Sequence, residues 1–200
     1  DRVIMVDENG TLVDGDQLLY LIMQFYIKEG YEFGGVVGTH MTNLAFEEKC
    51  KSQSIPFARA NVGDRYVSEE LDRRKWVLGG ENSGHILVKN LHSTGDGIIS
   101  ALQVLSYLVK NKKSLKSALT EIQLYPQILI NIPTENKVNL ETKTVKNAIK
   151  ESEIVMKSKG RVLIRASGTQ PLVRVMTEGP LRKEVLKAAK FLTEKIKEII

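Results

Sequence analysis

Two short stretches concentrate residues able to do chemistry. The first is GGENSGH, Gly79 to His85, which gathers a carboxylate, an amide, a hydroxyl and an imidazole directly after the apolar run Trp76-Val77-Leu78. In an extended loop Glu81, Ser83 and His85 would share a face, with Asn82 between them. Glu81 accepts hydrogen bonds, Ser83 donates and accepts, and His85 does either or moves a proton. That set suits vicinal sugar hydroxyls. A tight β-turn with a satisfied histidine is the competing structural explanation. The second stretch is RASGTQPLVR, Arg165 to Arg174. Its Ser167-Gly168-Thr169 loop can turn backbone N–H groups toward an anion, and Arg165 and Arg174 are forks matched to phosphate. It is not a P-loop, because the Gly-x4-Gly-Lys spacing is missing. A plain hairpin with incidental arginines competes with this reading.

A third group of loops carries weaker signals. Gly38-Thr39-His40-Met41-Thr42-Asn43 joins a strand to a helix, the usual ligand side of an α/β sheet, but capping by Thr42 explains it as well. Gly63-Asp64-Arg65 and His92 to Gly97 have the same form, each with an Asp suited to a helix start.

The elements that must position these loops follow from pattern. Residues 3–13 read as a hairpin around Glu8-Asn9-Gly10. A helix capped by Asp14 or Asp16 carries Leu18, Leu21, Ile22, Phe25 and Tyr26 and ends at Gly30. Then come a buried strand at 33–37, a helix at 42–52, a strand at 56–60, a helix at 64–73 and a strand at 75–78. A strand at 86–88 follows, then a helix with Ile98, Ile99, Leu102, Leu105, Leu108 and Val109 as its apolar positions. Ser114 begins a short helix and Tyr125-Pro126 breaks the chain. Beyond it lie a strand (127–132), a helix (141–151), strands at 161–165 and 172–177, and a last helix with a stripe of Leu181, Val185, Ala188, Leu192, Ile196 and Ile199. The expected fold is an α/β domain, a mixed sheet flanked by helices, followed by a small α+β domain whose antiparallel sheet is covered by two helices.

Composition narrows the class. With 42% hydrophobic and 26% charged residues the chain reads as globular, and no apolar run approaches the ~20 residues of a bilayer span. One cysteine, Cys50, rules out an intrachain disulfide, and with no signal-peptide layout a cytoplasmic location is expected. The net charge of +5 is spread among glutamates toward the end of the chain, without aromatic-basic alternation. That argues against nucleic acid and for attraction of phosphorylated metabolites.

Together, GTHMTN, VGDRYV, GENSGH, STGDG and RASGTQP, in this order along the chain, resemble the α-D-phosphohexomutase family across nearly the whole chain. Tyr125-Pro126-Gln127-Ile128-Leu129-Ile130-Asn131 resembles its bacterial phosphoglucosamine mutase branch in particular. The resemblance implies interconversion of glucosamine 6-phosphate and glucosamine 1-phosphate through a phosphoserine, a bisphosphorylated intermediate and Mg²⁺. It implies that Glu81, Asn82, Ser83 and Thr39 bind the sugar and that His85 and Arg2 are catalytic. Arg165, Ser167, Gly168, Thr169 and Arg174 would hold the phosphate that is not reacting. Gln170 stands where the family usually has Glu, which removes one charge beside that phosphate.

Asp1-Arg2 looks like the last two residues of the family's metal loop, Asp-Gly-Asp-x-Asp-Arg, so Asp1 would be a metal ligand. By that resemblance the chain is the C-terminal half of a mutase. Residues 1–14 would be the remnant of a second domain, 15–120 the sugar-binding third domain and 121–200 the phosphate-binding fourth. Such a piece is expected to bind Mg²⁺ poorly, to be inactive alone and to be a monomer, with a homodimer possible for the full-length enzyme. A hexosamine phosphate is the expected partner, with neither nucleic acid nor membrane involved. The alternatives are a phosphomannomutase/phosphoglucomutase with the same loops, or a stand-alone sugar-phosphate binding module.

Overall fold

A computed structural model describes residues 1–134, 138–167 and 171–199. Contacts divide the chain into two units, Asp1–Leu124 and Tyr125–Ile200. The division falls a few residues beyond 120 because Leu119, Ile122 and Leu124 pack into the first core.

The first unit opens with a two-stranded hairpin, β1 (Met5–Val6) and β2 (Leu12–Val13). The Asp7 carboxylate closes it by accepting the Asn9 and Thr11 N–H groups. Val13 is buried and Val3 and Met5 pack on the same core, so residues 1–14 fold as part of this unit. Helix α1 (Gly15–Glu29) begins at Asp14, which forms a capping box with Gln17, and ends at Gly30 in the left-handed region. Asp16, the other cap candidate, instead accepts the Asn43 N–H at 2.8 Å. Nearly every residue of α1 from Gly15 to Tyr26 is buried, which marks it as the centre of the unit.

Strands β3 (Val36–Thr39), β4 (Phe57–Ala60), β5 (Leu78–Gly80) and β6 (Ile86–Val88) form a mixed sheet in the order β4-β3-β5-β6. β3 is parallel to β4 and β5, while β6 runs antiparallel to β5. Helices α2 (Leu44–Ser52), α3 (Asp64–Arg74), α4 (Gly97–Asn111) and α5 (Leu115–Ala118) complete the unit. Alternation along β3 sorts the layers: Val36 joins the core around α1, and Val37 joins Ala58, Val67 and Leu71 beneath α3.

Two strands start later than their sequence pattern predicts. Trp76 lies over Gly34 and Gly35, where a Cβ would come within 2.4 and 2.7 Å of the indole and of the Pro56 carbonyl. Gly34 takes the left-handed region and the Gly35 N–H donates to the Phe33 carbonyl, so the chain turns here and β3 starts at Val36. Lys75 caps α3 in the left-handed region, so β5 starts at Leu78. Helix α4 also departs from its pattern. It buries Ser100, Val104 and Tyr107, while Ile98, Leu102, Leu105 and Val109 face outward.

In the second unit β7 (Gln127–Pro133), β8 (Arg161–Ala166) and β9 (Leu172–Glu178) form an antiparallel sheet in the order β7-β9-β8. Helices α6 (Lys143–Val155) and α7 (Arg182–Ile199) cover one face through Val145, Ala148, Val185, Leu192 and Ile196. The stripe on α7 is as read from sequence except at Leu181, which precedes the helix and is exposed.

Candidate functional site

GGENSGH forms the connection between β5 and β6, and it is a tight hairpin turn, not an extended loop. Glu81 N–H donates to the His85 carbonyl and Gly84 N–H to the Glu81 carbonyl, with Gly84 at φ +90°. The turn separates the side chains expected on one face: Glu81 and His85 are buried, Asn82 is half-buried and Ser83 is exposed. Glu81 accepts the Gly63 N–H at 2.9 Å, tying the turn to the start of α3.

His85 is 4% exposed and sits among groups from three distant segments. Its Nδ1 lies 3.4 Å from Asp1 Oδ2, and its Nε2 lies 3.9 Å from Asp64 Oδ2, too long for a hydrogen bond. Nε2 has no hydrogen-bond partner among the described residues. The ring packs over Gly95, where a Cβ would meet Nε2 at 2.2 Å. The start of the chain is held by similarly close backbone approaches. Val3 N–H donates to the Gly84 carbonyl, and a Cβ at Gly84 would lie 2.1 Å from the Val3 carbonyl oxygen. Arg2 is exposed, with its backbone against Gly97. Asp1, Arg2, Ile4, Asp96, Ile98 and Leu102 line a hollow of about 650 Å³ beside this cluster. Asp64 and Gly95 carry no signal in sequence beyond helix capping and loop chemistry; only the fold brings them to His85.

The other loops of this unit are explained by structure. Asp96 caps α4, accepting from Ile98 and Ile99, and the Ile99 N–H is the main cause that holds its carboxyl below the ordinary range. In GTHMTN it is Asn43 that caps α2, while Thr42 Oγ1 accepts the Thr39 N–H. Thr39 is 1% exposed and its hydroxyl accepts the Met41 N–H. Arg59 clamps the turn by donating to the Thr39 and Thr42 carbonyls.

In the second unit Arg165 on β8 stands directly opposite Arg174 on β9, which in turn stands opposite Asn131 on β7. Opposed residues in such a ladder bring their side chains to about 5 Å, so two like charges here repel. The Arg174 Nε is buried and has no hydrogen-bond partner among the described residues. Burial, and then Arg174, pull the Arg165 pKa down. Four residues along the same face, Glu178 accepts from Arg161 at 2.5 Å and from Gln127 at 2.9 Å. One cross-strand row is thus neutralised and the other holds two facing cations. Ser167 follows β8 and its N–H donates to the Leu172 carbonyl. Gly168 and Thr169 lie outside the described residues.

Mg²⁺ prefers six oxygen ligands. Among the described residues no group of three or more His, Cys, Asp or Glu could hold a metal ion. Asp1, with His85 as its near neighbour, does not make such a site, so the described residues do not by themselves fit the ion. Among the described residues no helix is long and apolar enough to cross a membrane.

Comparison with known proteins gives the fold and its lineage. The phosphoglucomutase/phosphomannomutase alpha/beta/alpha domain III matches residues 14–125, and the C-terminal domain of the same family matches residues 129–195. The phosphoglucosamine mutase of Methylobacillus flagellatus is 49% identical over 199 residues, 99% of this chain and 44% of the relative. That of Nitrosospira multiformis is 50% identical over 201 residues, 100% of this chain and 42% of the relative. The chain therefore spans less than half the length of these relatives. Among solved structures, Aspergillus fumigatus N-acetylphosphoglucosamine mutase in complex with GlcNAc-6P and magnesium superposes with a TM-score of 0.77 at 22% identity. The match covers 98% of this chain and 50% of that one. A Burkholderia thailandensis phosphoglucomutase/phosphomannomutase family protein gives a TM-score of 0.75 at 14% identity, covering 99% and 44%. Both likenesses speak to the fold, and the domain matches over most of the chain settle the lineage: this chain belongs to the phosphoglucomutase/phosphomannomutase family.

Proposed function

We propose that the chain forms the C-terminal part of a phosphoglucosamine mutase, which interconverts glucosamine 6-phosphate and glucosamine 1-phosphate. The observation that carries the reading is the facing pair Arg165 and Arg174, half-buried and without a counter-ion among the described residues. A dianionic phosphate would satisfy both forks and remove their repulsion. Ser167, with Gly168 and Thr169, would add donors. This unit then anchors the phosphate that is not reacting and supplies positioning, not bond breaking.

In the first unit Glu81 has one oxygen committed to the Gly63 N–H and offers the other to a sugar hydroxyl. Asn82 and the exposed Ser83 are placed to add further contacts, whereas Thr39 is 1% exposed and its hydroxyl already accepts the Met41 N–H. His85, held between Asp1 and Asp64, is the proton carrier of this reading, and Arg2 the neighbouring cation. Mg²⁺ and the phosphoserine would come with the remainder of a longer polypeptide, so the 200-residue chain alone is inactive. The choice of glucosamine over mannose rests on curated relatives named phosphoglucosamine mutase at close to half identity.

An NMR titration with glucosamine 6-phosphate tests this. Saturable shifts at Gly84, and at Gly168 shifts that vanish in Arg165→Ala, are expected. No shift at millimolar ligand overturns the sugar-phosphate reading, and turnover by the purified 200-residue chain overturns its assignment as an inactive part.

A further inference from the structure

The turn from Glu81 to Gly84 is seated on the first turn of α1. Gly15 is the first helical residue, and its N–H is one of the donors that a helix cannot satisfy internally. It donates to the Asn82 carbonyl at 3.0 Å. A Cβ at Gly15 would lie 2.1 Å from the Glu81 carbonyl oxygen and 2.6 Å from the Gly84 nitrogen, so backbone meets backbone with no room for a side chain. The carbonyls of Glu81 and Asn82 thus stand at the positive end of the α1 dipole. The seat is also rigid, because Leu18 to Met23 are each 1% exposed or less. A close-packed core yields little, so a change at this contact displaces the turn and not the helix.

The side chain of Glu81 leads to a second helix start. Its Oε1 accepts the Gly63 N–H at 2.9 Å, and Gly63 is the residue before α3, where no side chain of its own caps the helix. Glu81 is therefore placed twice, its backbone by α1 and its carboxylate by α3. We infer that Gly15 is a positioning residue for the Glu81 carboxylate, acting through the turn and not by meeting a ligand. The inference deepens the proposed sugar site and rests on Glu81 as an acceptor for a sugar hydroxyl. A side chain at position 15 would push the turn outward, and the carboxylate would lose its register with Gly63.

Gly15→Ala in the 200-residue chain tests it. Alanine favours a helix over glycine, so a loss at the turn does not arise from α1 itself. Without ligand, the Gly63 amide proton resonance should move toward its position in Glu81→Ala, which lacks the acceptor, while Leu21 and Val175 stay in place. With glucosamine 6-phosphate, half-saturation of the Gly84 shift should need about ten-fold more ligand or beyond, while inorganic phosphate read at Gly168 binds unchanged. Asp14→Ala is the second variant, and it decides if Gly15→Ala fails to fold. It removes the capping box and loosens the first turn of α1 without adding an atom beside Glu81, so Gly63 should move in the same direction by less. A Gly63 resonance unmoved in either folded variant overturns the inference. Shifts at Leu21 as large as those at Gly63 also overturn it, because Gly15 would then serve the fold as a whole. So does unchanged affinity for the sugar phosphate beside a displaced Gly63. A parent chain with no Gly84 shift overturns the sugar reading instead, and the ligand-free spectra still decide whether Gly15 seats the turn.

Discussion

The two cross-strand rows of the second sheet share a face, three strands and a spacing of four residues, yet they solve opposite problems. Gln127, Glu178 and Arg161 form a closed set in which a carboxylate with no exposed surface meets one cation and one amide donor. Asn131, Arg174 and Arg165 hold two cations and no carboxylate. A buried charge persists when its partners are internal. Two facing cations with a buried, unbonded Nε are costly in the free protein and become favourable when an anion arrives. The first row is built for the fold and the second for a ligand.

That contrast breaks most visibly at Glu178. Glu178→Ala should cost about 3–5 kcal/mol, because Arg161 would be left half-buried without its counter-ion. Urea denaturation followed by amide exchange at Val175 reads it. A change below 1 kcal/mol would mean that the closed row is dispensable. Arg174→Met should do the reverse. Stability should stay within about 0.5 kcal/mol or rise, since a like-charge contact disappears. Affinity for inorganic phosphate should fall at least ten-fold, the loss expected for about 1.4 kcal/mol or more of charge-assisted bonding. The same titration that follows Gly168 measures it.

The smallest effect sharpens the role of burial. On α3, Glu70 also pairs with two partners, Arg73 and Arg74, but at the surface. Hydrogen bonds from Arg73 and then Arg74 lower its carboxyl from 4.5 to about 2. A lowered folded-state value gives stability that is present above pH 4.5 and lost as pH falls toward 2. Glu70→Gln should therefore cost under about 1 kcal/mol at neutral pH, progressively less as pH falls from 4.5 through about 2, and less in high salt. A cost equal to that of Glu178→Ala would show that pairing alone, and not burial, separates the rows.

Much of this was readable from residue patterns, and the failures share a cause. The order of elements, both sheets and a cap at Asp14 or Asp16 follow from periodicity and turn chemistry, and the fold uses Asp14. Two arginines near a small polar loop suggest an anion, but their facing each other depends on the register of β8 against β9. β3 starts late because the chain turns at Gly34 and Gly35 beneath Trp76, and β5 because it follows the left-handed Lys75. Of the apolar positions of α4, Leu108 packs on the core but Ile98, Leu102, Leu105 and Val109 face outward, since Val104 and Tyr107 took the buried side. In GGENSGH the flanking glycines favoured a tight turn over an extended ligand loop. Asp64 and Asp1 stand beside His85 only through the fold.

The seating of residues 1–4 has a consequence for mutational tolerance. What is packed there is mainly backbone: the Val3 carbonyl against Gly84 and the Arg2 carbonyl against Gly97, at 2.1 and 2.3 Å from where a Cβ would stand. In a saturation scan the two glycines should accept almost nothing, while Arg2 and Ile4 should accept many side chains without loss of fold. Sequence freedom and structural constraint are thus decoupled: the residues that are held are free to vary, and the residues that hold them are not.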